Sequence, residues 1–211
     1  LTFRGSAEST SSGSPLLLVG GSKNITIERC RFEQGSTVGV QAASSSVAIR
    51  GSIFESLSDC GVHLQDSSDS LLTGNSITGC GNAGIRIWRT EPGPDGAIVT
   101  QNRIEKIDWG GGGDGQNGNG INIFNADDVL VADNHIADCA FTAVRLNTTR
   151  NCQVTGNICL RSGEVAIFSE FAFSGSIIAN NIIDGAATGI SITNLDTEGH
   201  LAVCSGNIVR N

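Results

Sequence analysis

The chain has 211 residues, which is enough for one sizeable domain or two small ones. Its formal net charge of −8 makes it a poor candidate for general nucleic-acid binding, because that function depends on clustered Lys and Arg. No run approaches roughly 18 apolar residues, so the sequence predicts no membrane span.

The first element in the chain is a strand-like segment, LTFRG, at residues 1–5. Because a strand pattern begins at once, we expect further residues upstream of it. From about Leu16 onward a short phrase recurs, as in LLTGNSI, IVTQNRI and LVADNHI. Each copy has one apolar residue three positions before an asparagine and another two positions after it. The asparagines are Asn75, Asn102, Asn134, Asn157, Asn181 and Asn207, and Cys30 and Ser52 occupy the same position in the first two copies.

Each copy continues to a small residue that opens a strand of alternating apolar and polar residues, as in GVHLQ, GIRIW and GINIF. The small residues are Gly39, Gly61, Gly84, Gly120, Ala143, Ala166 and Gly189. In five copies the small residue follows the second apolar position by the same seven-residue step, so each copy is one structural rung. Rungs of about 22–24 residues, rich in β-branched residues and without helical periodicity, predict a β-solenoid. The leucine pattern of the competing leucine-rich repeats is absent.

Stacked rungs bring equivalent residues to within about 4.8 Å of each other, so like side chains meet. An asparagine buried at a turn can then hydrogen-bond the next asparagine and the local backbone, which predicts an asparagine ladder with a structural role. The chain has 7 cysteines and no CxxC pair, which argues against a zinc ribbon and a complete disulfide framework. Cys30, Cys159 and Cys204 fall in inward columns, so small buried thiols are expected.

These repeats resemble the parallel β-helix repeats of the pectate-lyase-like superfamily. The phrases DGQNGNGINIF, CAFTAVRLN, GEVAIFSEFAF and GAATGISITN are similar to those of the twin-arginine-exported β-helix repeat proteins of alphaproteobacteria. The resemblance implies an all-β, single-stranded, right-handed parallel β-helix of about eight rungs. It also implies export to the periplasm or the extracellular space. Residues 1–211 are expected to form a single such domain within a longer chain.

Alternation along the strands that follow the small residues predicts two outward stripes of side chains. The first stripe is Gln41, His63, Arg86, Asn122, Arg145, Phe168 and Ser191. The second stripe is Ala43, Gln65, Trp88, Phe124, Asn147, Glu170 and Thr193. In the middle rungs, the stripes therefore place arginine, histidine, amide and aromatic side chains on one sheet.

Three rungs are longer than the others, and their extra residues flank this sheet. The fourth rung gains nine residues around 109–117, within WGGGGDGQNGNGIN, just before its strand. The other insertions fall in RTEPGPDG and NLDTEG, after the strands. Loops at both ends of a flat sheet form the walls of a groove, and loops on a rigid scaffold commonly carry function.

The decorated groove suits an acidic polysaccharide, because arginine pairs with carboxylates and aromatic faces stack on sugar rings. The candidate catalytic residues are His63, Arg86 and Arg145, and the candidate substrate-binding residues are Trp88, Asn122, Phe124, Asn147, Glu170 and Asp114. The resemblance implies lyase or C5-epimerase chemistry on a uronate, which needs a base, a group that neutralises the carboxylate and a proton donor. The superfamily's diagnostic catalytic motifs are absent, so the sequence does not decide whether the chain is an enzyme.

Several alternatives stay open at this stage. Asp108 and Asp114 are candidate ligands for Ca²⁺, and with Glu170 they are candidates for the carboxylate pair of a glycoside hydrolase. The chain could also be a non-catalytic surface or assembly module, similar to an adhesin or tailspike, and could form homo-oligomers. In that case Arg86 and Arg145 are simply solvated charges, and Trp88 and Phe124 are a cross-strand pair covered by the Trp109 loop.

Overall fold

A computed structural model describes residues 1–5, 13–109, 115–194 and 199–211 of the chain. The first strands are β1 (Thr2–Arg4), β2 (Leu17–Gly20), β3 (Ile25–Glu28), β4 (Arg31–Glu33), β5 (Val40–Ala43), β6 (Val47–Arg50), β7 (Ile53–Leu57), β8 (Cys60–Gln65), β9 (Leu71–Thr73), β10 (Ser76–Cys80), β11 (Ala83–Pro94) and β12 (Ile98–Thr100). They are followed by β13 (Arg103–Ile107), β14 (Asn119–Asp127), β15 (Leu130–Ala132), β16 (His135–Cys139), β17 (Val144–Asn147), β18 (Gln153–Thr155), β19 (Ile158–Glu170), β20 (Ser174–Ala179), β21 (Ile182–Thr193), β22 (His200–Ser205) and β23 (Ile208–Arg210). The described residues contain no helix that is long and apolar enough to cross a membrane.

The strands form a parallel β-solenoid with three faces. The first face contains β1, β4, β7, β10, β13, β16 and β23, and the second contains β2, β5, β8, β11, β14 and β17. The long strands β19 and β21 run through both of these faces. The third face is the separate sheet of β3, β6, β9, β12, β15, β18, β20 and β22. Each strand pairs with its equivalents in the neighbouring rungs, so the predicted parallel solenoid of about eight rungs is confirmed.

The core is the inside of this tube, where the inward columns of the three faces meet. Phe3, Phe32 and Phe54 stack in successive rungs with ring centroids 4.8 and 4.9 Å apart. The small-residue column lies where a side chain would meet the next rung. A Cβ on Gly84 would lie 2.5 Å from the carbonyl oxygen of Gly120, which explains why that position in the rung stays small.

Six asparagines hydrogen-bond in series at the corner between the third and first faces. The Asn102 backbone N–H and Nδ2 both donate to Oδ1 of Asn134, each at 3.0 Å. Nδ2 of Asn134 donates in turn to Oδ1 of Asn157 and to the carbonyl oxygens of Val99 and Ala132. The same pattern joins Asn75, Asn157, Asn181 and Asn207. These side chains therefore satisfy the buried backbone groups of a tight corner.

All seven cysteines are free, as the sequence predicted. Five of them are buried, and Cys30 is half-buried. The expectation for Cys204 is wrong, because this residue is exposed. Its strand, β22, is the edge strand of the third sheet, so only one neighbouring strand packs beside it.

Candidate functional site

Both side-chain stripes lie on the second face, in the register that alternation predicts. Arg86 pairs with His63 on one side and with Asn122 on the other. Asn122 pairs with Arg145. The second stripe aligns Trp88 with Phe124, and β17 continues it with Asn147 beside Glu170. Neighbours within a stripe are thus about one strand spacing, or 4.8 Å, apart.

Arg86 is buried, and it forms an ion pair that the sequence analysis did not predict. Its side chain is 8% exposed, and its Nη1 donates to Oδ2 of Asp59 at 2.9 Å while Nη2 lies 2.8 Å from Oδ1. Oδ1 of Asp59 also accepts a hydrogen bond from Nδ2 of Asn82 at 3.0 Å. Asp59 lies two positions before the small residue Gly61, at the corner that leads into the second face. An acidic residue two positions before the small residue was the sequence feature from which this ion pair could have been predicted.

Arg145 is held in the same way, by Glu170. Its Nε donates to Oε1 of Glu170 at 2.5 Å, and its Nη2 also contacts that oxygen. Its Nη1 donates to the carbonyl oxygen of Gly115 at 2.7 Å. Both arginines are only 7% exposed, so the interpretation of Arg86 and Arg145 as solvated charges is wrong. Parallel pairing across rungs brings each guanidinium within reach of a carboxylate. The carboxylate compensates the positive charge of the buried arginine, which would otherwise be unpaired.

An aromatic row includes Trp88 and Phe124 of the second stripe, and the ring of His63, from the first stripe, packs at its end. The His63 and Trp88 rings meet edge to face at 5.5 Å, and those of Trp88 and Phe124 at 6.2 Å. Cζ of Arg86 lies 5.1 Å from the centroid of the Trp88 ring, which is a cation–π contact. Phe124 is 37% exposed, so its ring is open to solvent.

The Trp109 ring does not cover this row. It packs edge to face against Phe141 at 5.2 Å, at the corner between the first and second faces. The expectation of a Trp109 cover is therefore wrong for the described part of the insertion, and residues 110–114 lie outside the described ranges.

The described end of the insertion, residues 115–118, is fixed to the second face. Nδ2 of Asn122 donates to the carbonyl oxygen of Gln116 at 2.9 Å, and Arg145 binds the carbonyl of Gly115. This contact closes one side of a cavity of about 100 Å³. Its lining residues are Trp88, Gln116, Asn122, Phe124, Arg145 and Asn147. Five of these six were predicted from the stripes, and Gln116 comes from the insertion.

The imidazole of His63 is expected to stay neutral down to about pH 4. Burial is the main cause that lowers its pKa to about 4, and the charge of Arg86 lowers it further. The unfolded chain, with an ordinary value near 6.5, binds a proton that the folded chain does not, so stability falls as the pH decreases from about 6.5 to about 4. NMR titration of the imidazole resonances, assigned with a His63→Gln variant, measures this. A His63 midpoint near 6.5 would contradict it.

The remaining predicted residues do not converge on one point. His63 and Arg145 are three rungs apart, about 14 Å at the usual strand spacing, so they cannot flank one reacting atom. Asp108 is exposed beside Lys106 at the corner between the first and second faces, and its carboxylate accepts a hydrogen bond from the backbone of Trp109 at 2.8 Å. Asp114 lies outside the described residues.

The predicted metal site has no support from the described residues. In ranges 1–5, 13–109, 115–194 and 199–211, no three His, Cys, Asp or Glu side chains group closely enough to hold an ion. Glu170 is engaged with Arg145 inside the second face, away from Asp108. The Ca²⁺ assignment of Asp108 and Asp114 stays a prediction.

The profile of the family described as right-handed beta helix region matches residues 2–104 and 38–208. The chain belongs to this right-handed β-helix family. The right-handed parallel β-helix implied by the resemblance is therefore confirmed. A search of curated proteins finds no match to this β-helix.

Solved structures with the same fold include several polysaccharide enzymes. A point variant of the periplasmic alginate epimerase AlgG superposes with a TM-score of 0.72 at 11% identity, over 92% of this chain and 48% of that one. The Azotobacter vinelandii mannuronan C-5 epimerase AlgE4 A-module gives 0.66 at 14% identity, over 89% and 60%. An alginate lyase from Paenibacillus sp. str. FPU-7 gives 0.63 at 12% identity, over 100% and 98%.

These likenesses concern the fold of the β-helix, because identities of 11–14% are too low to transfer a site. The chain spans about half of the AlgG variant's length and three fifths of the AlgE4 module's, at 48% and 60%.

Proposed function

We propose that this β-helix binds a polysaccharide along its second face, with the cavity beside Phe124 as the centre of the site. The observation that supports this proposal is the cavity. It is lined by two aromatic rings and three amide side chains, and the end of the insertion at Gln116 is hydrogen-bonded to the sheet beside it. Concave sites with apolar walls and a few fixed polar groups are the usual form of ligand sites. Aromatic walls with hydrogen-bonding amides suit sugar rings, which have both C–H surfaces and hydroxyl groups.

The comparisons support a polysaccharide as the class of ligand. The neighbouring structures are named for alginate or mannuronan, and all use the same solenoid. A polymer lying along the stripes would meet one set of side chains per rung, and the row from His63 to Asn147 crosses four rungs. That this polysaccharide is acidic, as the sequence predicted, stays a prediction. Export to the periplasm or extracellular space, where such polymers lie, is proposed with it.

Replacing Phe124 by alanine is expected to weaken glycan binding about fivefold, because loss of an aromatic contact removes roughly 1 kcal/mol of binding free energy. Trp88→Ala should do the same or more, since its ring is central in the aromatic row. Isothermal titration with the oligosaccharides selected from a glycan array measures the effect.

Ile98→Ala is the matched control for these variants, because Ile98 is 40% exposed but lies on the third face. Its binding should equal that of the wild type. If no glycan binds the wild type, or if Ile98→Ala weakens binding as much as Phe124→Ala, the proposed site is wrong.

Lyase or epimerase activity is a second candidate, supported by one observation. His63 lies on the proposed binding face beside the Arg86–Asp59 pair. A neutral imidazole can accept the proton α to a uronate carboxylate. Incubation with polyuronates, followed by absorbance of unsaturated products and NMR of the uronate configuration, tests this. Activity that survives in His63→Gln would remove His63 from the base role.

The other two readings gain no specific support from the described residues. A carboxylate pair of Asp108 and Glu170 does not form, because the two side chains lie at different places on the solenoid. An assembly module and homo-oligomers stay predictions.

A further inference from the structure

We infer that the cavity beside Phe124 selects an uncharged sugar residue over a uronate. This inference rests on the proposed polysaccharide function and names the chemistry of the ligand at its centre. It also differs from the acidic ligand that the stripe of arginines suggests when the sequence is read alone.

The first reason is that the cationic group of the cavity is already neutralised. Arg145 is the one cation among the described lining residues. Its Nε and Nη2 both face Glu170, whose side chain is 4% exposed, and Nη1 binds the carbonyl oxygen of Gly115. A ligand carboxylate would therefore have to approach a buried carboxylate of the same sign, or displace it from its only arginine and leave it uncompensated.

The second reason is that the neighbouring arginine is also paired with a carboxylate. Arg86 presents its two terminal nitrogens to the two oxygens of Asp59, at 2.9 and 2.8 Å. The formal net charge of −8 also repels a polyanion at long range. Neither the local pairs nor the overall field favours a polyuronate.

The other described residues that line the cavity are neutral. Asn122, Asn147 and Gln116 contribute amide groups, and Trp88 and Phe124 contribute apolar ring surface. Amides both donate and accept hydrogen bonds, as sugar hydroxyl and acetamido groups require. A volume of about 100 Å³ equals about three waters at roughly 30 Å³ each, so the cavity fits a ring substituent such as a hydroxymethyl or acetamido group, with the ring against Phe124.

The test compares matched oligomers of glucose, N-acetylglucosamine and mannuronate with the wild-type chain by titration calorimetry at low and physiological salt. At least one neutral oligomer should bind about tenfold or more tightly than the mannuronate oligomer at both salt concentrations. Phe124→Ala should remove this preference, whereas Ile98→Ala should keep it. Tighter binding of mannuronate that Phe124→Ala abolishes would overturn the inference and leave the proposed function standing. Absence of binding by every oligomer would overturn both.

Glu170→Gln gives an independent measurement on the same site. Removing this negative charge while keeping the shape should raise the affinity for mannuronate at least fivefold and leave the neutral oligomer within about twofold. Asp138→Asn is the matched control, because it also removes a carboxylate paired with an arginine, Arg161, but on the first face. Circular dichroism of each variant tests whether it is folded. An unchanged mannuronate affinity in folded Glu170→Gln would count against the inference.

Discussion

Arg145→Ala is expected to lower the free energy of unfolding by about 3–5 kcal/mol, because removing one partner of a buried ion pair leaves the other charge uncompensated. Glu170 is 3% exposed and would lose both contacts from the guanidinium. The variant would also lose the hydrogen bond that fixes the carbonyl of Gly115 to the sheet. Urea unfolding followed by circular dichroism measures the change.

The pH dependence of Arg145→Ala shows whether its loss of stability comes from the unpaired carboxylate of Glu170. Burial raises the pKa of Glu170, and Arg145 opposes that rise. Without Arg145 the pKa of folded Glu170 should rise further. At a pH between the unfolded and the folded pKa of Glu170, the folded chain then binds a proton that the unfolded chain has released. The stability of the variant therefore falls as the pH increases through that interval. The deficit of Arg145→Ala should therefore shrink at acidic pH.

The matched control is the double variant Arg145→Met with Glu170→Leu, which replaces the pair by apolar side chains. It should recover most of the lost stability, since well-packed apolar replacements of buried pairs are often neutral. If Arg145→Ala is as stable as the wild type at neutral pH, the Arg145–Glu170 pair contributes nothing to the free energy of unfolding.

Asn134→Ala is expected to cost about 3 kcal/mol or more, since each buried polar group left without a partner costs roughly 1–3 kcal/mol. The backbone N–H and Nδ2 of Asn102 would lose their common acceptor. The carbonyl oxygens of Val99 and Ala132 would lose a donor. The urea midpoint should fall, and hydrogen exchange should speed up first at the amide of Asn102.

Asn207→Ala is the matched control, because Asn207 makes the equivalent bonds to Asn181 at a half-exposed position. Removing this half-exposed side chain admits water to the Asn181 donors, which Asn207 otherwise covers, so the expected cost is below about 1 kcal/mol. Asn134→Ser should fall between the two. Ser52, in the same column, accepts the backbone N–H of Cys30 and donates to the carbonyl oxygen of Arg50. Equal losses at Asn134 and Asn207 would contradict a role that depends on burial.

The two buried pairs also limit how the second face can act on a ligand. Arg86 and Arg145 are each oriented by a carboxylate, and Arg145 in addition fixes the loop end that completes the cavity. A site held this way is preorganised, so little ordering is needed when a ligand binds. Selection then depends on the neutral amide and aromatic groups that face the cavity.

The sequence by itself determined the solenoid, the number of rungs and the content of both stripes. Its period places His63, Arg86 and Asn122 on successive strands, because parallel rungs of similar length stack equivalent positions. The small-residue column is readable for the same reason, since each rung repeats the same steric conflict at Gly84 and its equivalents.

Only the tertiary structure decided what the stripe residues contact. Asp59 belongs to a corner and Glu170 to the other stripe, and neither period nor composition says which guanidinium each will meet. The approach of Gln116 to Asn122 depends on the path of an insertion that has no equivalent in the other rungs. Periodicity fixes backbone positions, whereas pairing and cavity shape follow from side-chain rotamers and loop paths that no repeat encodes.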